Sequence, residues 1–158
     1  MKNRNLIRPA LTLIALTWLI TGKAQTASNK INDRNWHELY KTSQVEINYK
    51  YSECSLPEAG TQEESAYLQF RNLTNKKMNF TWSPTLWYGD RCYNCDGVDP
   101  EMTYTITLEA GEVKEGTCSM DCPRSLKIFG KYLNVVQEGP KRELKDFDLK
   151  SPKVVLID

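Results

Sequence analysis

The chain has 158 residues, with 21 Lys and Arg against 20 Asp and Glu, one histidine and five cysteines. Charges of both signs are scattered, so there is none of the basic face or stripe that nucleic-acid binding requires. Four of the 21 basic residues and none of the 20 acidic ones fall in the first 24, which leaves a net charge of −3 on the rest.

Lys2, Arg4 and Arg8 precede an apolar run from Ala10 to Ile20 that is interrupted only by Thr12 and Thr17. Gly22-Lys23-Ala24 follows as a small-x-small site. This is the layout of a secretory signal peptide, residues 1–24, with cleavage expected after Ala24. The run is about half the roughly 20 residues that span a bilayer, so no transmembrane anchor is expected after cleavage. No cysteine lies beside the cleavage site to carry a lipid. The expected location is secreted or periplasmic. The remaining 134 residues suit a single domain.

Residues 25–43 read as a polar N-terminal arm. Trp36, Leu39 and Tyr40 at i, i+3, i+4 suggest a helical turn within it, or a packed arm. From residue 44 to 158 the pattern is that of one β-sandwich domain. Val45, Ile47, Tyr49 and Tyr51 alternate with polar residues, as in a half-buried strand. Pro57 and Gly60 mark a polar loop over 55–64. Ala66, Leu68 and Phe70 repeat the alternation, and a turn over 72–77 follows. Met78, Phe80 and Trp82 share one face, which makes Trp82 the leading core tryptophan. Residues 86–88 either continue that strand or open another after Pro84. Met102, Tyr104, Ile106 and Leu108 alternate with threonines, which favour a pleated surface. A weak edge strand is expected over 112–118 and a better one from Leu126 to Val136, stopped by Gly139-Pro140. Two short strands, 144–149 and 153–157, are separated by Ser151-Pro152. The count of about seven to nine strands with turns between them predicts an all-β, immunoglobulin-like antiparallel sandwich, with a small β-barrel as the alternative.

Cys54, Cys92, Cys95, Cys118 and Cys122 are disulfide candidates, because an exported chain meets oxidising conditions. Two bridges and a spare thiol fit five cysteines in fifteen ways; Cys122, beside Pro123, is the candidate spare. Up-and-down strand polarity puts all five at one pole of the sandwich, stapling the loop from Gly89 to Pro100. A zinc site of Cys92, Cys95, Cys118 and Cys122 is the competing reading. A thioredoxin-like dithiol at Cys92–Cys95 lacks the helix that such a motif opens. Asp90, Asp96, Asp99 and Glu101 are the oxygen donors available for calcium in one loop, without EF-hand spacing. Trp87, Tyr88 and Tyr93 flank that loop as a possible recognition surface.

His37 has neither a G-x-S-x-G elbow nor an H-E-x-x-H motif to work with. No carboxylate pair stands out for glycoside hydrolysis. Asn72-Leu73-Thr74 and Asn79-Phe80-Thr81 are glycosylation triplets, the second inside a predicted strand. The run Leu86-Trp87-Tyr88-Gly89-Asp90-Arg91-Cys92-Tyr93-Asn94-Cys95, with Glu115-Gly116-Thr117-Cys118 and Leu126-Lys127-Ile128-Phe129, resembles small exported bacterial proteins of unknown function. The resemblance implies no site residue. The expectation is an exported, disulfide-stabilised, non-enzymatic binding or envelope-associated module without a cofactor, engaging a protein or glycan ligand. The alternative is a metal-binding module, with an enzyme third.

Overall fold

The computed structural model describes residues 35–135 and 143–157. The expected signal peptide, its cleavage site and the Gly139-Pro140 stop lie outside the described residues.

Among the described residues nine strands form two antiparallel sheets that face each other as a sandwich and do not close into a barrel. The first sheet contains β1 (His37–Lys41), β2 (Val45–Leu56), β3 (Thr61–Asn72), β7 (Val113–Glu115) and β8 (Lys127–Tyr132). The second contains β4 (Lys77–Tyr88), β5 (Arg91–Tyr93), β6 (Tyr104–Leu108) and β9 (Leu144–Ile157). The period-two pattern explains the core. Val45, Ile47, Tyr49 and Tyr51 from β2 meet Ala66, Leu68 and Phe70 from β3. Opposite them lie Met78, Phe80 and Trp82 from β4, with Phe147 from β9. Trp82 is fully buried, with its ring 5.9 Å from that of Phe70.

Three local expectations are corrected. Residues 37–41 are a strand, not a helical turn. β1 pairs with β2, and a register shift between Glu38 and Tyr40 lets Leu39 enter the core despite its helical spacing. The sheet therefore begins inside the segment expected as an arm. Residues 55–64 are mostly strand: β2 and β3 pair from Val45↔Asn72 to Leu56↔Thr61, and only Pro57–Ala59 with Gly60 (φ 64°) makes the turn. The last two strands are one, because β9 passes Ser151-Pro152 through a bulge, with Ser151 at φ 51°.

β4 continues through Pro84, although a proline in a central strand removes a ladder donor. On one side β4 pairs with β6 up to Trp82 and with β5 from Leu86, so residues 83–85 face a gap between those two partners. The Pro84 carbonyl is taken by the Asn94 side chain at 2.7 Å. Proline thus sits where no neighbouring strand requires its N–H.

Candidate functional site

Each sheet is covered on its outer face by one cysteine-bearing loop. On β3, Glu63, Ser65 and Tyr67 point away from the sandwich core, on the opposite parity to Ala66 and Leu68, yet all three are buried. The chain from Gly116 to Leu126 lies over them. It is docked by the Gly116 N–H to the Leu68 carbonyl at 2.9 Å. A Cβ at Gly116 would collide with the Leu126 carbonyl and press on the Tyr67 ring, so the close approach requires glycine. The Cys54–Cys118 disulfide fastens this loop to β2, with Cα atoms 5.4 Å apart. Cys54 is itself paired across the sheet with Glu63.

Beneath the loop, the Lys127 ammonium lies 3.0 Å from the Glu63 carboxylate, and the Ser65 hydroxyl donates to the same oxygen at 3.2 Å. Burial pushes the Tyr67 phenol up to about 12, with Glu63 and Cys122 adding to the shift. Its hydroxyl has no hydrogen-bond partner among the described residues. Cys122 is the free cysteine; its Sγ accepts the Thr117 N–H at 3.4 Å. Beside the disulfide opens a cleft of about 430 Å³, with residues 55–58 as one wall and 118–121 as the other. Met120 in that wall is 60% exposed.

The second loop, 94–103, lies over β4 and buries the outward-facing Ser83 and Thr85. Ser83 and Thr103 share a hydroxyl–hydroxyl bond of 2.9 Å. The Lys150 ammonium donates to the carbonyls of Asn94, Cys95 and Gly97 at 3.0, 2.7 and 2.6 Å. Asn94, at φ 61°, accepts the Asp99 N–H at 2.7 Å, and Cys92–Cys95 closes the loop's base.

The cysteines therefore do not form one staple. Cys54–Cys118 belongs to the first sheet and Cys92–Cys95 to the edge of the second, because the 116–126 segment crosses β3 instead of reaching the Gly89–Pro100 loop. The four proposed zinc ligands are separated between the two disulfides, with Cys122 left over. The proposed calcium ligands do not converge either. Asp90, Asp96, Asp99 and Glu101 are all exposed, the Asp99 carboxylate turns back to cap the Glu101 N–H at 2.9 Å, and no metal-holding group occurs among the described residues.

The aromatic surface is divided by strand parity. Tyr88 and Tyr93 meet edge to face at 5.8 Å on the core side, where the Tyr88 hydroxyl donates to the Phe129 carbonyl. Trp87 has the opposite parity and is paired with Cys92 on one side and Asp146 on the other. Asp146 and Asp148 follow on that outer face, and burial pushes both carboxyls above the usual carboxylate range. The His37 ring packs 5.5 Å from that of Tyr49. Asn72 is buried and holds the Lys76 and Glu109 carbonyls, so it is a turn brace, not an open glycan acceptor.

Glu63, Tyr67, Lys127 and Lys150 were not singled out by sequence pattern. Their polar character on an outward parity reads as solvated surface until the covering loops are placed. Comparison with protein-family models, with curated proteins and with solved structures gives no match.

Proposed function

We propose that the chain is exported and acts as a binding module of the envelope or its exterior, not as an enzyme, with the cleft beside Cys54–Cys118 as its contact site. The two disulfides suit an oxidising compartment. Glu63 and Lys127, beneath the covering loop, are paired with each other, which supports binding over catalysis. The observation that carries the reading is the chemistry of the cleft. Leu56, Pro57 and the exposed Met120 give it an apolar patch within a largely polar lining, and Glu58 and Asp121 add negative charge. An adaptable methionine in a cleft of mixed polar and apolar lining suits a protein segment, and the acids favour a basic side chain beside the apolar one. No aromatic ring lines the cleft, which argues for a peptide ahead of a glycan.

The test is selection of a random peptide library on the mature protein, residues 25–158. Selected peptides should combine an apolar residue with Lys or Arg, and should lose binding to Met120→Asp and Asp121→Lys. Peptides that bind these variants equally well, or a library with no binder, would reject the cleft. Export is read separately: the N-terminus of protein recovered outside the cytoplasm should be Gln25, and an uncleaved cytoplasmic chain would contradict it.

A further inference from the structure

The covering loop of the first sheet holds a disulfide and a free thiol within one turn. The Ser119 N–H donates to the Thr117 carbonyl at 2.9 Å, and the Cys122 N–H donates to the Ser119 carbonyl at 3.2 Å. These bonds fold Cys122 back so that its Sγ accepts the N–H of Thr117, the residue before Cys118. The second of these turns runs from Ser119 to Cys122, so Cys118 directly precedes it and the Cys122 sulfur lies against the backbone of its neighbour Thr117. Cys118 thus has two partners within reach, Cys54 on β2 and Cys122 in its own loop.

We propose that Cys118 exchanges its disulfide between Cys54 and Cys122, releasing the loop from β2. The Cys122 thiolate attacks Sγ of Cys118; the new S–S bond forms as the Cys54–Cys118 bond breaks. Cys54 leaves as a thiolate and takes up the proton that Cys122 gave to solvent. One disulfide and one thiol stand on each side, so no oxidant or reductant is needed. Cys118 is exposed while Cys54 is 2% exposed, so the attacked sulfur lies on the open side of the bond.

A buried donor stands near the attacking thiol. The Tyr67 hydroxyl is buried, has no hydrogen-bond partner among the described residues, and stands within electrostatic reach of Cys122. Buried hydroxyls are ordinarily bonded, so an orphan beneath a thiol marks a group available to a sulfur anion. The consequence rests on the cleft reading above. Cys118 lies in one wall and Ser55, next to Cys54, in the other, so breaking their bond separates the two walls. It also uncovers Glu63, Ser65 and Tyr67.

The experiment is disulfide mapping of the mature protein, incubated at about pH 8.5 so that thiolate is present, quenched in acid and digested. Wild type should give both the Cys54–Cys118 and the Cys118–Cys122 linkages, in a ratio independent of protein concentration. Cys122→Ser should give only the first. Finding only Cys54–Cys118 in folded wild-type protein, with Cys122 fully alkylated, overturns the proposal. Hydrogen exchange provides a second readout in case Cys54→Ser fails to fold: residues 116–126 should be better protected in Cys122→Ser than in wild type, and equal protection counts against exchange. A selected peptide should bind Cys122→Ser about tenfold more tightly than Cys54→Ser. Equal binding rejects control of the cleft, while absence of any binding peptide rejects the cleft and leaves the linkage map to decide exchange.

Discussion

Cys54 and Glu63 face each other across β2 and β3, and the disulfide from Cys54 draws a loop over the carboxylate of its neighbour. A glutamate that strand parity points outward is thereby taken out of water. A buried carboxylate needs a partner, and Lys127, the first residue of β8, supplies it from the opposite side of β3. The covering loop and the ion pair are one arrangement, since Leu126 closes over Tyr67 immediately before Lys127 enters the sheet.

Removing Lys127 alone should therefore cost more than removing both charges. Lys127→Met leaves Glu63 with only the Ser65 hydroxyl, at a cost of about 3 kcal/mol, the low end for a broken buried pair because the lysine side chain is partly exposed. Glu63→Gln combined with Lys127→Met should recover most of that loss. Urea denaturation of the two single variants and the double variant closes the cycle. Additive losses in the double variant would show that the pair does not act as a unit.

The alternating runs in β2, β3, β4 and β6 were legible because each buries one face against the other sheet, so period two reports the core directly. Trp82 followed from its parity with Met78 and Phe80. The covering loops were not legible. Glu63, Ser65, Tyr67, Ser83 and Thr85 occupy the outward parity, and only a long-range docking of 116–126 or 94–103 turns those positions into a second, polar interior. Strand polarity also gathered Cys54, Cys92, Cys95, Cys118 and Cys122 into one staple. Strand pairing divides them, since β5 pairs with β4 in one sheet and β7 with β3 in the other. β1 was missed for a related reason: the bulge at Glu38/Tyr40 breaks the alternation that marks a strand.

The second loop should depend on Lys150 more than on its own disulfide. Cys92 lies in β5 and Cys95 only three residues further on, so their bond ties the loop to a point it already adjoins along the chain. Lys150 ties three loop carbonyls to β9, more than fifty residues away in the chain. Lys150→Met should free residues 94–97 by about 1–2 kcal/mol, since the exposed carbonyls regain water, and speed local amide exchange about tenfold or more. Cys92→Ser with Cys95→Ser should change that exchange less. Lys150→Arg should not rescue it, because a planar fork does not match three convergent carbonyls as a rotatable ammonium does. Hydrogen-exchange mass spectrometry ranks the variants; the reverse order would assign the loop to its disulfide.

The carboxyls of Asp146 and Asp148 give stability a pH dependence opposite to that of a salt-bridged acid. Burial raises both carboxyls, and the N–H that each accepts from the following residue (Phe147 at 2.9 Å, Leu149 at 2.7 Å) does not offset it. Between the unfolded carboxyl value, about 3.9, and the raised folded value, the folded chain binds more protons than the unfolded one, so stability falls as pH rises through that window. The penalty is complete above the folded value and absent below the unfolded one. Glu143 behaves in the opposite sense: its hydrogen bond from Lys131 lowers it, so its contribution is present above the ordinary glutamate range and is lost as pH falls. Asp148→Asn keeps an oxygen for the Leu149 N–H and removes the charge. Its Tm should exceed that of wild type at neutral pH, and the difference should vanish below about pH 4, where the wild-type carboxyl is already protonated in both states. Thermal melts of both proteins across this range measure the difference directly; a gain that persists unchanged in acid would trace the effect to packing instead of charge.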